Sequence, residues 1–152
     1  MIAETTAYKL LSNDVQLNEL FDSYRGGKFG CGFKQGIFTY DIPEKPTNMK
    51  KKELAPFLRI NTIYDAPNAY ADDGYIGTEQ RIVINFWCKT AAQSEAIVKR
   101  IDAILTEAGF EWYTANETPR YKDNDIGLLM NVRKYRFFDW GVIKRKKELI
   151  HG

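Results

Sequence analysis

The stretch with the strongest suggestion of chemistry is RGGKFGCGFKQG, which holds five glycines between Gly26 and Gly36. A phosphate-binding loop needs a preceding strand, and it needs Lys and then Ser or Thr after its second glycine. This stretch meets neither condition, because a helix is predicted before it and no glycine in it is followed by Lys and then Ser or Thr. Lys28–Phe33 also resembles the basic, glycine and aromatic string that RNA-recognition domains carry on a strand. That strand must follow a strand–helix–strand unit, so we predict a loop or bent ribbon here instead.

Residues for nucleophilic, acid–base or metal chemistry are scarce. Cys31 and Cys88 are far apart without a CxxC motif, and the single histidine, His151, lies near the C-terminus, where nothing would orient it as a base. Acidic pairs within 72–73 and 123–125 fall in predicted loops and are interpreted as solvated turn residues. G-x-S-x-G and H-E-x-x-H motifs are absent. We therefore predict no catalysis, no metal and no cofactor, and we interpret Cys88 as an inert core thiol.

Two basic segments could contact phosphates: Lys50, Lys51 and Lys52, and a C-terminal cluster that begins with Lys144 and Arg145. The net charge of +2 is a global sum and identifies no partner. Solvated loops are the plain interpretation of both segments. A small nucleic-acid-binding α+β domain that uses these lysines and exposed aromatic residues is the alternative hypothesis, and an enzyme whose site only the fold would reveal is a third.

The element around which the chain is organised is a strand followed by a helix, from Glu79 to Phe110. The string EQRIVINFWCK alternates with the period of a strand, with Ile82, Ile84, Phe86 and Cys88 on one face and Arg81, Val83, Asn85 and Trp87 on the other. The next residues repeat apolar side chains at helical spacing. Thr90 with Gln93 is a capping-box start, and Gly109 is a C-terminal stop.

The second face of this strand has two possible roles. Arg81, Asn85 and Trp87 lie on it, and aromatic residues with arginine on an exposed sheet face are typical of subunit contacts. Alternatively, a second helix covers that face and makes Trp87 a core residue. The sequence leaves both alternatives open.

The remaining elements follow from periodicity and from turn-forming residues. Residues 3–24 are predicted to be helical, with a break at Asn13 and Asp14. Strands are predicted at Ile37–Ile42, at 57–64, at Glu111–Tyr113 and at Leu128–Phe138. Three polar connections separate them, at 43–53, at 65–78 (a hairpin loop or an exposed arm) and at 114–125.

These elements predict one α+β domain over residues 1–138, followed by a basic tail or short helix over residues 139–152. The expected architecture is a small mixed, mainly antiparallel sheet with helices packed on one face. An apolar content of 44% argues against disorder. No apolar run approaches the ~18 residues that a membrane span needs, and the N-terminus lacks the features of a signal peptide, so we expect synthesis in the cytoplasm without membrane contact.

The order of the segments resembles the tail-terminator proteins of long-tailed bacteriophages, which complete the tail and join it to the head, and especially the minor tail proteins of phages of Gram-positive hosts. An N-terminal helix with an LLSND break precedes a PFLRI strand and a long loop. RIVINFWCKT, the helix SEAIVKRIDAILTEAGF and the strand LLMNVRKYRFF follow. The resemblance covers residues 5–138.

The resemblance implies a structural role without catalysis. Such proteins form a ring, usually a hexamer, that caps the tail tube and presents a surface to the head connector. The implied partners are the tail-tube protein, the head-closure or connector proteins and further copies of the chain, near the DNA that passes through the channel of the virion. The loops at 43–53, at 65–78 (with Tyr70 and Tyr75) and at 114–125 are the expected docking segments.

Overall fold

The computed structural model describes residues 2–28, 36–43, 48, 50–71, 74–113 and 119–139. Within these ranges the chain forms three α-helices, a short 3-10 turn at Lys52–Leu54 and one sheet. In chain order the elements are α1 (Ala3–Asn13), α2 (Val15–Arg25), β1 (Ile37–Thr39), β2 (Phe57–Ala71), β3 (Gly74–Cys88), α3 (Ala91–Glu107), β4 (Glu111–Trp112), β5 (Arg120–Asp123) and β6 (Leu128–Asp139).

The predicted break in the first helix is confirmed, because Asp14 ends α1 and caps α2. Its backbone is extended, and its Oδ2 accepts a hydrogen bond from the Leu17 N–H at 2.8 Å. Asn18 Nδ2 donates to three main-chain oxygens around the end of α1, at 2.7 to 3.3 Å. Gly26 then ends α2 in the left-handed conformation, with φ of 86°.

Both predicted ends of α3 are confirmed. Thr90 Oγ1 accepts from the Gln93 N–H at 3.2 Å, and Gln93 Oε1 accepts in return from the Lys89 N–H at 3.0 Å. Gly109 has φ of 96°, and the Phe110 N–H reaches back to a carbonyl of the last helical turn at 2.9 Å. Local capping residues therefore determine where the strand ends and the helix begins.

The sheet is mixed and mainly antiparallel, as predicted. Its order is β1-β2-β3-β6, and β4 and β5 both pair with the outer edge of β6. β1 is parallel to β2, and the other pairs are antiparallel. The fold class is thus α+β.

Three strand predictions differ from the structure. β2 extends to Ala71 and β3 begins at Gly74, so the predicted loop at 65–78 is largely a two-stranded arm. The predicted connection at 114–125 contains β5, although its first residues, 114–118, lie outside the described part. β1 is shorter than the predicted Ile37–Ile42.

All three helices pack on one face of the sheet. The main core joins Ala7, Leu11, Phe21, Ile97 and Ile101 from the helices to Ile82, Ile84, Phe86 and Cys88 from β3. These are the residues that the period-two pattern of the strand assigns to its apolar face. None of the described helices has both the length and the apolar character that crossing a membrane requires.

Candidate partner interface

The partly buried carboxylates bind neighbouring side chains and join elements of the fold. Asp102 on α3 accepts hydrogen bonds from Arg133, with Nε at 3.1 Å, and from the hydroxyl of Tyr135. Burial raises the pKa of Tyr135 far above its ordinary value, and the bond to Asp102 raises it further. Asp14 is held in the same way by Arg100. These hydrogen bonds link α3 to β6 and to the start of α2, so they stabilise the packing of these elements.

Cys88 is a free, buried thiol whose Sγ lies 3.0 Å from Ser94 Oγ. Burial raises the pKa of Cys88 despite the opposing hydrogen bonds from Ser94 and Asn131. A thiol with a raised pKa carries little thiolate at neutral pH and is a weak nucleophile. Among the described residues, no cluster of His, Cys, Asp and Glu could hold a metal ion.

A groove of about 690 Å³ lies between the first half of α3 and the strands β5 and β6. Asn131 lines it with a side chain that is 2% exposed. Its Nδ2 donates to the Phe86 carbonyl at 3.3 Å, whereas its Oδ1 has no partner in the described part of the chain. Glu95, Lys99 and Arg120 add charges of both signs to the lining. The groove offers a hydrogen-bond acceptor, and its described lining residues include no paired nucleophile and base.

The sheet face opposite the helices, called the open face below, is half covered. Around Trp87 it is closed by apolar side chains from β1, β2, β6 and the segment before β2, namely Phe38, Ile42, Ala55, Phe57, Leu128 and Met130. Trp87 is 1% exposed, and its Nε1–H donates to Asp123 Oδ2 at 3.1 Å. Asn85 is 6% exposed and accepts from Arg59 Nε at 3.2 Å. Of the two predicted roles, burial favours the core for Trp87 and Asn85, so neither offers much surface to a partner. The cover over Trp87 is not the predicted second helix, because strand and loop side chains supply it.

The other half of the open face carries arginines and aromatic rings that remain partly exposed. The Arg81 side chain is 35% exposed and forms an ion pair with the nearly buried Glu79. Its guanidinium carbon lies 4.3 Å from the centre of the Tyr64 ring and 5.2 Å from that of Tyr113. Tyr64 is 40% exposed. Arginine stacked on exposed tyrosine is the composition expected at a protein interface.

This uncovered half continues onto β6 and β4. Arg136 and Glu111 form an exposed ion pair at 2.9 Å. Lys134 lies opposite Val83 in the sheet register, and both side chains are half-buried. Because alternate residues of a strand share a face, Lys134 lies between Arg136 and Val132 on this surface. We call the residues Tyr64, Arg81, Val83, Lys134 and Arg136 the arginine–tyrosine surface.

The predicted lysine segment is divided between two environments. The Lys50 ammonium lies 4.9 Å from the centre of the Trp87 ring, so this lysine contributes to the covered half of the open face. Lys51 and Lys52 are exposed. Lys144 and Arg145, together with His151 and Cys31, lie outside the described residues.

The arm formed by the ends of β2 and β3 holds the two predicted tyrosines. Tyr70 is paired with Tyr75 in the backbone register, next to the pair formed by Ala71 and Gly74. Only the backbone is described for residues 67–71 and 74–76. β6 pairs with β3 from Thr78 onward, so in the described residues the two strands of the arm pair only with each other before that point.

Two features of the sheet were not predicted from the sequence. One is the extension of both arm strands, for which Asp73–Gly74 is a signal, because this dipeptide favours a two-residue hairpin turn. The other is β5, where Tyr121 is 45% exposed at the outer edge of the sheet. Its sequence, RYKD, is too short and polar to give a periodic signal.

Comparison with known proteins identifies no family: no family model matches the chain, and no curated protein matches it. Among solved structures, the gp17 protein of bacteriophage SPP1 is similar at 14% sequence identity and a TM-score of 0.43. The match covers 88% of this chain and 85% of that one. Similarity at this level carries no argument about function.

Proposed function

We propose that this chain is a structural protein of a long-tailed bacteriophage virion, of the tail-terminator type. It closes the tail tube as a ring and joins it to the head connector, and it does so without catalysis. The observation that carries the proposal is the arginine–tyrosine surface, a part of the sheet that none of the described helices covers and that leaves Arg81 and Tyr64 partly exposed to a partner.

A sheet with helices on just one of its faces requires a second cover if its open face carries large apolar rings. The first part of the open face has that cover in Phe38, Ile42 and Leu128. The arginine–tyrosine surface has none from the described residues, and Tyr64 is exposed beside Arg81. Such side chains contribute strongly to binding when a partner removes them from water. A protein partner is therefore the simplest occupant.

The arrangement of elements supports the same role. Two helices, a strand beginning at Phe57, a long arm, the strand–helix unit and a final strand follow each other as the segment resemblance implies. A ring that caps a tube needs a contact between different surfaces of neighbouring copies, because identical patches would close a dimer instead. The arm and the basic segments remain the proposed docking elements for the tube and the connector, with Tyr70, Tyr75, Lys51, Lys52, Lys144 and Arg145 as candidate contacts.

The experiment compares two charge reversals with the same formal change. Lys134→Glu alters the arginine–tyrosine surface, whereas Lys9→Glu alters an exposed position of α1 on the helical side. Binding of each variant to purified tail tubes is measured by co-sedimentation, after thermal melting has established that both are folded. We expect Lys134→Glu to weaken binding by at least ~10-fold, because hot-spot contacts contribute about 2 kcal/mol or more, and Lys9→Glu to bind normally.

Equal binding by both variants would remove the arginine–tyrosine surface from the proposal. Failure of the unmodified protein to bind tubes, together with salt-sensitive binding to oligonucleotides, would favour the nucleic-acid-binding alternative.

A further inference from the structure

The exposed apolar side chains are concentrated at the two opposite edges of the sheet. The described part of the chain contains seven large hydrophobic residues with exposed side chains, and five of them are at these edges. Tyr40, Ile63 and Tyr64 lie at the β2 edge, while Trp112 and Tyr121 belong to β4 and β5 at the far edge. Isolated exposed apolar residues need no explanation, but clusters mark contact sites.

The β2 edge offers a short length of backbone for pairing. β1 occupies it only as far as Ile60, whose carbonyl accepts from the Tyr40 N–H at 2.9 Å. Further along, Pro67 lacks the N–H that a neighbouring strand would need. Residues 61–66 lie between these limits, and among the described residues no strand pairs with this side of them. This segment is long enough for one four-residue strand.

The far edge presents a strand of that length. β5 runs from Arg120 to Asp123 and pairs with β6 on one side only, within the described ranges. The Val132 N–H donates to the Pro119 carbonyl at 2.9 Å, so the alternation of an antiparallel pair directs the backbone groups of Arg120 and Lys122 outward. An unpaired strand of this kind is a template for another chain.

The charges of the two edges are complementary. Asp41 and Asp65 are exposed at the β2 edge, whereas Arg120 and Lys122 are exposed on β5. Opposite charges favour pairing of one edge with the other, and they disfavour β5 against a second β5. The contact therefore joins different surfaces of two copies, which is the geometry that continues from copy to copy and can close into a ring.

We propose that neighbouring copies of this chain pair through their sheet edges, with residues 61–66 of β2 in one copy against β5 of the next. This inference rests on the proposed ring. It places the open faces of successive copies side by side, so that their arginine–tyrosine surfaces form one annular surface. The bulge at Ile63 and the proline at 67 both limit edge pairing, so each contact is weak alone and the ring needs the tube as a template.

The test is chemical cross-linking in the presence of tail tubes, with a short flexible bismaleimide and all variants carrying Cys31→Ser. Asp65→Cys and Lys122→Cys are prepared separately and as a double variant. Mixing the single variants is expected to give cross-linked dimers that contain one of each, and the double variant is expected to give a ladder that ends at the ring. Ala103→Cys, at an exposed position of α3, is the collision control and is expected to remain uncross-linked.

Charge reversal provides a second measurement. Asp65→Lys and Lys122→Asp should each lower the yield of assembled rings by about fivefold, as expected for one exposed ion pair of ~1 kcal/mol, and the double reversal should restore it. Rings seen by electron microscopy without mixed cross-links, or with Asp65→Cys homodimers instead, would overturn the edge pairing and leave the ring intact. Absence of any assembly on tubes would overturn the proposed function as well.

Discussion

Asp14 performs two tasks that a pair of substitutions can separate. Its Oδ2 caps α2 through the Leu17 N–H, and its carboxylate also binds Arg100 of α3, with Nε–Oδ2 and Nη2–Oδ1 distances of 3.0 and 2.7 Å. Asp14→Asn keeps a side-chain oxygen for the cap but removes the charge. Asp14→Ala removes both.

The two contributions can be estimated independently. Loss of a helix N-cap costs about 1 kcal/mol. The side chains of Arg100 and Asp14 are 28% and 16% exposed, so the ion pair is partly screened and contributes about 1 kcal/mol, the upper end for surface pairs. We therefore expect the free energy of unfolding to fall by about 1 kcal/mol in Asp14→Asn and by about 2 kcal/mol in Asp14→Ala. For a chain of this size these values correspond to Tm decreases of roughly 3 °C and 6 °C.

The pH dependence has a defined sign. The hydrogen bond from Arg100 lowers the pKa of Asp14 below its ordinary value, although burial opposes this. A carboxyl whose pKa is lower in the folded state stabilises the fold above its unfolded pKa, and that contribution is lost as the pH falls through the folded pKa. The difference in stability between the unmodified protein and Asp14→Asn should therefore be present at neutral pH and shrink below about pH 4.

Urea unfolding followed by circular dichroism, at neutral pH and in steps down to acid, measures these quantities. Glu19→Gln is the matched control, because Glu19 is an exposed carboxylate of α2, and its loss should change stability by less than about 0.5 kcal/mol. Equal destabilisation by Asp14→Asn and Asp14→Ala would refute the separation of cap and ion pair. A difference that persists unchanged in acid would refute the electrostatic part.

Three further predictions concern single features of the fold. Asn18→Ala removes the amide that donates to three main-chain oxygens at the end of α1. The free energy of unfolding, measured with urea, should fall by about 1–2 kcal/mol. Asn18→Asp also lacks the donor, so it should lower this free energy by the same amount. Trp87→Phe keeps a ring in the covered half but removes the donor to Asp123. The free energy of unfolding, followed by thermal melting, should fall by about 1–3 kcal/mol. A smaller fall in Trp87→Ala than in Trp87→Phe would contradict the packing of this side chain. The triple change of Lys50, Lys51 and Lys52 to Ala should not alter oligonucleotide binding, which we expect to be as weak as in the unmodified protein. Fluorescence anisotropy across a salt series measures this binding. A weaker dependence of the affinity on salt concentration in the variant would support the nucleic-acid-binding alternative.

Local sequence signals predicted the parts of the fold that local interactions determine. Thr90, Gln93 and Gly109 define the helix ends through bonds to residues within one turn, and the break at Asp14 is a side-chain cap of the same kind. The alternation in 82–88 predicted the core face of β3, because burial on one side enforces a period of two.

The incorrect or missing predictions concern segments whose structure depends on residues that are distant in the sequence. Residues 65–71 contain Pro, Asn and Asp and read as a loop, yet β3 supplies hydrogen-bonding partners that hold them as a strand. β5 is polar and short, and only its register with β6 makes it a strand. The cover over Trp87 comes from Phe38, Ile42 and Ala55, which no periodic pattern connects to it. A sequence read segment by segment carries no record of these long-range contacts.

The same limit applies to the candidate surface. Arg81 was predicted as an interface residue from its strand face, and the structure leaves it partly exposed beside Tyr64. Asn85 and Trp87 lie on the same face, but both are buried, Trp87 among apolar side chains that include Phe38, Ile42 and Ala55. Alternation assigns residues to a face, whereas exposure depends on which other segments reach that face.

Electron microscopy of the protein mixed with purified tail tubes can show whether this chain caps a tail tube as a ring. We expect one ring of density at a single end of each tube, with the sides of the tube unoccupied. Protein distributed along the tube, or absent from its ends at concentrations well above those of the tube, would contradict the claim.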